Sequence, residues 1–439
     1  MSYRILLTLS ALALLLGACA HPDVRGAPAA DAEAASAKTG DAASPEAADE
    51  AASEPAQQTT SQRDAAGFAR WVAGFRERAA ARGVDRDTLA EAFDDATFQP
   101  SIIELDRRQP EFTRAIWTYL DSAVSATRVA RGREELAGHA ETARTVEARY
   151  GVPRTIIGAI WGVESNYGGN FGGYEVIDAL ATLAYDGRRR DFAEEQLYAA
   201  LAILADGDID RERMQGSWAG AMGHTQFIPT SFRRYAVDAD GDGRRDIWAS
   251  IADVMGSTAH YLAENGWQRD RTWGREVVLP PDFDYALAEM DTRRTTAAWR
   301  SAGVRAVDDR GLPQFEAGSI LAPAGAHGPA FLVGPNFRVI LRYNNATSYG
   351  LAVGLLSDRL AGDPGVQGEW PRTLASLSRD EVREMQRLLN ELGHEVGAPD
   401  GLVGPNTRAG LRGFQREQGR TADGYPTHAL LRAIRAAAR

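Results

Sequence analysis

Trp161-Gly162-Val163-Glu164-Ser165-Asn166-Tyr167-Gly168 is the stretch on which both fold and chemistry turn. Just upstream and within it, Ile156, Ile160, Val163 and Tyr167 recur at the interval of an amphipathic helix. Pro153 suits the first turn of that helix, and Gly168-Gly169 suits its end. Glu164 follows Ile160 by four residues, so its carboxylate shares the edge of the apolar face. A carboxylate there is partly desolvated, which disfavours the charged form and raises the pKa. A carboxylic acid still protonated near neutral pH can act as a general acid. A solvated glutamate on a helix edge has the same spacing, so position alone does not assign the role.

From Phe68 to about Trp267 the pattern is mainly helical. Phe68, Trp71, Val72 and Phe75 share one face, and Asp87 precedes Leu89 and Phe93 as an N-cap. From Trp273 to Phe337 the pattern changes. Val277-Val278-Leu279 runs into Pro280-Pro281, and Phe331-Leu332-Val333 into Gly334-Pro335. Such short apolar runs read as strands of a small mixed insertion, with helix resuming near Ser348. Residues 363–375, punctuated by Gly and Pro, read as a linker. Ser378-Arg379-Asp380-Glu381 is then a capping box for a helix bearing Val382, Met385, Leu389 and Leu392, stopping at Gly393. Asn406 or Thr407 caps a second helix with Leu411 and Phe414, and Thr427 a third with Leu430, Leu431 and Ile434.

A chain of 439 residues is too long for one compact core. The expected organisation is a signal peptide over 1–19, a disordered linker over 20–66, a mainly α catalytic unit over 67–362 and a three-helix unit over 376–437. The linker reading rests on composition: residues 20–66 are Ala, Asp, Glu, Pro, Ser and Thr with almost no large apolar side chains. The net charge of −11 argues against nucleic acid, which selects basic surfaces. The seven histidines form no His-Glu-x-x-His or Cys/His pattern, so zinc chemistry is not expected. His224 reads as local packing.

At the N-terminus, Arg4 precedes a nearly all-apolar run from Ile5 to Leu16, too short for the ~20 residues a membrane span needs. It reads as a signal peptide. Leu16-Gly17-Ala18-Cys19 resembles a bacterial lipobox, in which the cysteine is lipidated and becomes the mature N-terminus. An ordinary secretory signal cut near Ala18 or Ala20 shares most of these features. Cys19 is the only cysteine, so no intramolecular disulfide can form. The lipobox resemblance, with Ala20 rather than Asp next, implies a periplasmic protein lipid-anchored to the outer membrane.

Several further stretches fall in one order: Asp178-Ala179-Leu180-Ala181-Thr182-Leu183, Gly216-Ser217-Trp218-Ala219-Gly220-Ala221-Met222-Gly223, Gln226-Phe227-Ile228-Pro229-Thr230-Ser231, Asp240-Gly241-Asp242-Gly243 and Arg342-Tyr343-Asn344-Asn345. With the Glu164 segment, this order resembles the membrane-bound lytic murein transglycosylase B family over roughly residues 67–360. The resemblance implies a goose-lysozyme-like helical core with a helical N-terminal part and a small β insertion. It implies cleavage of the muramic acid–glucosamine bond of peptidoglycan with formation of a 1,6-anhydromuramic end. By the same resemblance Glu164 is the catalytic acid/base. Ser217, Gln226, Tyr261, Tyr343, Asn344 and Tyr349 line a glycan groove, and Tyr119 matches a groove tyrosine. Arg188 and Arg189 lie near the peptide stems, with Arg190 leaving the register open by one. Taken alone, Tyr119 and Tyr261 read as core.

The residue types suit a sugar polymer: tyrosine offers an apolar face with a polar tip, and amides and hydroxyls bond acetamido and hydroxyl groups. A single carboxylate suits a reaction whose nucleophile is internal to the substrate, whereas ordinary glycosidases need two. Asp178 and Asp186 are the alternative second carboxylates and read as structural or solvated. No cofactor is expected for catalysis, and the protein is expected to be a monomer whose partner is peptidoglycan glycan.

Asp238-Ala239-Asp240-Gly241-Asp242-Gly243-Arg244-Arg245-Asp246 resembles the start of an EF-hand loop, with oxygens from Asp238, Asp240, Asp242 and Asp246 and the Arg244 carbonyl. Position 12 is Ala249, so the usual bidentate ligand is absent; the family resemblance closes the loop with Asp253 instead. A structural Ca²⁺ is the expectation, against an acidic Gly-rich turn. Finally, Asp400-Gly401-Leu402-Val403-Gly404-Pro405-Asn406-Thr407 and Phe414-Gln415 resemble the three-helix peptidoglycan-binding domain family.

Overall fold

The computed structural model describes residues 55–107 and 115–439. Cys19, the signal segment and the linker up to residue 54 lie outside the described residues. Helix α1 (Pro55–Ala81) begins inside the stretch read as linker, so residues 55–66 are helical. Pro55 is tolerated at a helix start, and the Ala and Gln after it are good helix formers carried by the packed second half. That half buries Phe68, Val72 and Phe75 as its spacing predicts.

Helices α2 (Arg86–Phe93), α3 (Pro100–Arg107), α4 (Ile116–Ala123), α5 (Ala126–Gly138) and α6 (Ala140–Tyr150) precede the central helix α7 (Arg154–Ser165), and α5 and α6 pack against it. The cap of α2 is Asp85, whose Oδ1 accepts the Thr88 amide at 2.8 Å; Asp87 sits in the first turn instead. A short strand β1 (Tyr174–Glu175) leads into α8 (Val176–Asp186) and α9 (Arg190–Ala205), and β2 (Gln215–Gly216) returns to pair antiparallel with β1. Then follow α10 (Pro229–Tyr235) and α11 (Ile251–Glu264).

The insertion is a four-stranded sheet in the order β4-β3-β6-β5, built from β3 (Gly274–Val278), β4 (Arg305–Ala306), β5 (Ser319–Leu321) and β6 (Ala330–Val333), with α12 (Thr296–Ser301) between β3 and β4. Both runs expected to be strands are strands, paired to each other with Val277 opposite Ala330. The sheet has its own small core of Val277, Trp299, Ile320 and Leu332.

Helix resumes at Pro335, earlier than expected. α13 (Pro335–Tyr343) uses the proline of Gly334-Pro335 at its first turn, and α14 (Thr347–Ala361) follows after Asn344 turns extended. α14 packs along α7, and α7 buries Ile156, Ile157, Ile160 and Trp161 around its circumference. The C-terminal unit is α15 (Arg379–Glu391), α16 (Pro405–Glu417) and α17 (His428–Ala437) around Met385, Leu389, Leu411, Phe414 and Ile434. The capping box at Ser378 and Glu381 and the Thr427 cap form as expected. Gly404, not Asn406 or Thr407, precedes α16; Thr407 is instead buried, its Oγ1 accepting the Gln386 amide at 3.1 Å. This unit rests on the insertion through Glu289, which takes Arg408 and Arg412 at 3.2 Å each. Among the described residues no helix is long and apolar enough to cross a membrane.

Candidate active site

Helix α7 ends one turn before its glycines. Asn166 and Tyr167 both adopt left-handed backbone, φ 50° and 56°. Ser165 holds this turn: its Oγ donates to the Trp161 carbonyl and accepts the Gly168 amide. The Tyr167 ring folds back over Gly162 of α7 and Gly132 of α5, where a Cβ at either glycine would collide with it. The last turn of α7 is thereby locked, and Glu164 is locked with it.

Glu164 is 7% exposed, deeper than the helix edge suggested. Its Oε1 accepts the Tyr349 hydroxyl of α14 at 2.6 Å. Burial pushes its carboxyl up to about 7, opposed only by the Tyr349 hydrogen bond. No other carboxylate among the described residues acts on it. Tyr349 and Tyr343 stack at 6.4 Å and 15° between ring planes, and Tyr343 meets Tyr261 at 4.8 Å. Burial raises both Tyr343 and Tyr349 well above 10, with the Glu164 charge adding to it. Tyr343 donates to the Thr225 carbonyl at 2.6 Å and Tyr261 to the Arg342 carbonyl at 2.5 Å. Tyr119 of α4, half-buried, is raised to about 12 by burial and then by Glu164. Tyr349 thus bonds the carboxyl, Tyr343 and Tyr119 feel its charge, and Tyr261 stands against Tyr343.

Gln226 has φ 52°, and its Nε2 donates to the carbonyls of Phe171 and Gly223. Ser217 accepts the Ala219 and Ala221 amides, fixing the Gly-Ser-Trp-Ala-Gly-Ala turn. Asn344, half-buried, caps α13 in an extended conformation. Arg188 and Arg189 both reach Asp106 of α3, at 2.6 and 3.5 Å, while Arg190 turns back to the Ala184 carbonyl. The bond to Asp106 raises Arg188 further. The structure therefore sets Arg188 and Arg189 together and Arg190 apart.

Of the two other carboxylates considered, Asp178 is bound to Arg211 at 2.8 Å and Thr97 at 2.6 Å, and Asp186 to Arg107. Both are structural. His224 stacks on Trp161 at 6.0 Å and accepts its indole N–H at Nδ1. Burial pushes His224 down to about 4, so it is neutral near pH 7, as packing required. Asp106 and Thr225 carry no signal of their own in the sequence. Asp106 lies 82 residues before Arg188 with no motif around it, so no local signal marks it.

In the acidic loop, carboxylate oxygens of Asp238, Asp240 and Asp253 lie within 4.8 Å of one another. Asp238 accepts the Gly241 and Gly243 amides, and Asp253, fully buried, accepts those of Ala239 and Asp246. Asp242 is turned to the Arg244 amide, and Asp246 to Arg213 and to the Trp248 and Ala249 amides. Three of the five expected carboxylates, Asp238, Asp240 and Asp253, therefore converge. Burial pushes Asp253 up to about 6, with the Asp240 charge adding to it. Three hard oxygen donors on one point fit a Ca²⁺-type ion.

The SLT transglycosylase domain model matches residues 67–358, two thirds of the chain. The chain belongs to this transglycosylase family. A peptidoglycan binding domain model matches residues 378–434. SltB3 from Pseudomonas aeruginosa, solved in complex with NAG-anhNAM-pentapeptide, is 50% identical with a TM-score of 0.80, covering 84% of this chain and 99% of that one. Slt35 from Escherichia coli, solved in complex with calcium, is 28% identical with a TM-score of 0.58, covering 68% and 93%. Membrane-bound lytic murein transglycosylase B of Escherichia coli K12 is 34% identical over 219 residues, 48% of this chain. The chain spans 58% of the length of that curated relative.

The Tyr349–Glu164 bond gives one direct expectation. In an acid-catalysed step activity falls as pH rises through the Glu164 pKa. Tyr349→Phe removes the bond that lowers that pKa, so the alkaline limb of kcat/KM moves to higher pH. The loss of one hydrogen bond lowers the rate at the optimum by about tenfold. A pH–rate profile checks both, and an unmoved limb rejects the coupling.

Proposed function

We propose that this protein is a lytic murein transglycosylase that cleaves the β-1,4 bond between N-acetylmuramic acid and N-acetylglucosamine and leaves 1,6-anhydromuramic ends. The observation that carries this is Glu164: pushed by burial up to about 7, held by Tyr349, and without a second carboxylate acting on it among the described residues. Paired-carboxylate glycosidases place their two groups about 5–9.5 Å apart, and an acid and a base at that range would perturb each other.

In this reading Glu164 gives its proton to the glycosidic oxygen as the C1–O bond breaks, releasing the glucosamine hydroxyl. The N-acetyl carbonyl of the muramic residue stabilises the charge at C1, as in substrate-assisted glycosidases. The ionised Glu164 then removes the proton of the C6 hydroxyl, whose oxygen bonds to C1. Glu164 ends as the acid it began. An internal nucleophile requires no positioned water and gains from proximity. Tyr349 stabilises the transient carboxylate, and the tyrosine surfaces offer flat faces for the sugar rings. The membrane-bound and peptidoglycan-liganded relatives support the substrate class. Mass spectrometry of digested sacculi tests the reading: anhydromuramic ends are expected, and reducing ends would make the protein a hydrolytic muramidase.

The C-terminal unit, in the same reading, holds the protein on the polymer and raises the local concentration of strands. Cys19 carries a lipid anchor to the outer membrane, facing the periplasm; loss of palmitate labelling in Cys19→Ser tests this.

Asp238, Asp240 and Asp253 hold a structural Ca²⁺, which supplies charge neutralisation in the loop before α11 and no step of the reaction. The Slt35 complex with calcium supports it. Ca²⁺ at a hundred times its Kd would add about 2.7 kcal/mol of stability. Thermal unfolding in Ca²⁺ against chelator reads this; Asp253→Asn removes the increment, and equal midpoints in the parent reject the site.

A further inference from the structure

His224 does more than pack. It belongs to the loop that carries Ser217 and Gln226, and Gln226 follows it by two residues. Its Nδ1 accepts the indole N–H of Trp161 at 3.2 Å, across 63 residues of chain. Trp161 stands on α7 three residues before Glu164, a rise of about 4.5 Å along the helix. Trp161 is 1% exposed, so water cannot replace that acceptor. Among the described residues no other hydrogen bond joins α7 to residues 215–227.

The rest of the loop is fastened elsewhere. The His224 amide donates to the Ile247 carbonyl and the Met222 amide to the Phe227 carbonyl, each at 2.9 Å. Tyr343 of α13 donates to the Thr225 carbonyl. The loop is therefore a firm body, and the Trp161–His224 bond ties it to the helix of the acid. Ring contacts flank the bond. The imidazole lies over Gly168, where a Cβ would collide with it, and meets the Phe171 ring at 5.4 Å. The Phe171 carbonyl in turn accepts the Gln226 side chain at 3.0 Å.

An imidazole that accepts at Nδ1 carries its proton on Nε2, so one neutral tautomer is selected. Burial favours the same neutral form. A ring protonated on both nitrogens would set N–H against N–H and break the contact.

We propose that His224 is a positioning residue: the bond from the Trp161 indole to its Nδ1 holds the Gln226 loop in register with Glu164. This role rests on the transglycosylase reading, in which one carboxyl must meet first the glycosidic oxygen and then the C6 hydroxyl of the same sugar. A shift of about 1 Å between a catalytic group and its substrate costs about a hundredfold in rate. One bond between the two walls of the site therefore has leverage on the chemical step.

The test uses the full chain and soluble glycan strands, at a temperature where circular dichroism shows each variant folded. His224→Phe keeps a flat ring and removes the acceptor; kcat is expected to fall about tenfold with KM within about twofold of the parent. His224→Asn, whose Oδ1 stands where Nδ1 stood, is expected to stay within about threefold of the parent. Trp161→Phe removes the donor and is expected to match His224→Phe. The double variant is expected to fall no further than the lower single, because all three lack the same bond. The parent alone gives a fourth measurement: ¹⁵N-histidine NMR is expected to show His224 as the Nε2–H tautomer from pH 8 to pH 5. Losses that multiply in the double variant, an Asn variant no better than Phe, a rise in KM with kcat held, or an Nδ1–H tautomer each overturn the proposal. The sugar ends released by the parent judge the transglycosylase reading separately: reducing ends sink that reading, while the ratios between variants still decide the role of His224.

Discussion

Glu164→Gln is expected to lower glycan cleavage by at least about a thousandfold while the protein stays folded and bound to glycan. Glutamine keeps the shape and can still accept the Tyr349 hydrogen bond that the carboxylate accepts at 2.6 Å. What it cannot do is give a proton to the leaving oxygen or take one from the C6 hydroxyl. In the proposed mechanism one group performs both transfers, so both are lost together. Product counting on sacculi with parent and variant side by side measures this, and a variant within tenfold of the parent would mean that another group carries the chemistry.

The same substitution has a signature in stability that a solvated glutamate would not give. Burial raises Glu164 from 4.5 to about 7 in the folded protein. The folded state thus holds the proton more tightly than the unfolded chain. The stability this group supplies is fully present below pH 4.5 and is lost as pH rises through about 7. Glutamine has no such dependence. The unfolding midpoint of the variant, relative to the parent, is therefore expected to be higher at pH 8 than at pH 5.

How much of this was legible in the sequence differs by scale. The helix over Glu164 was readable because its apolar residues repeat at helical spacing, and the β insertion because Pro and Gly bracket its strands. The mainly α fold and the separate C-terminal unit followed from the same local signals. Helix ends were less readable. Asp87 and Asp85 are equally good caps on paper, and only the chain path into α2 chooses Asp85. Gly334-Pro335 stops a strand and starts a helix at once, and the sequence reading used only the first meaning. Long-range pairs were not readable from local pattern, although the family resemblance put Tyr349 in one groove with Glu164. Tyr349 is 185 residues from Glu164, Glu276 is 91 from Gln367, and nothing in either neighbourhood names its partner. Residues 363–375 are the clearest case: Gly and Pro made them look free, whereas the buried Glu276 accepts the Gln367 and Gly368 amides and Trp117 and Phe331 flank Trp370.

Arg211→Ala is the largest stability effect to expect away from Glu164. Arg211 is 6% exposed and sits where three parts of the chain meet. Its Nη2 donates to Asp178 of α8 at 2.8 Å, its Nη1 pairs with Glu175 of β1 at 2.8 Å, and its Nε donates to the Ala92 carbonyl of α2. Asp178 is itself 2% exposed, with only Thr97 left to bond it once the guanidinium is gone. An uncompensated charge would then be buried between α2 and α8, a change that costs about 3–5 kcal/mol. For a unit of this size that lowers the unfolding midpoint by roughly 10 °C. Replacing both partners with apolar residues of similar volume removes the unpaired charge, so Arg211→Met with Asp178→Leu is expected to recover most of the loss. If the single variant loses less than about 1 kcal/mol, Asp178 is not held as a buried charge and this ion pair is not what joins α2 to the core. The effect also reaches the site. Glu175 pairs with Gln215 in the β1–β2 ribbon, which leads directly into Ser217. Loosening Arg211 loosens that ribbon, so glycan cleavage by the single variant is expected to fall with temperature well before global unfolding, while that of the double variant tracks the parent.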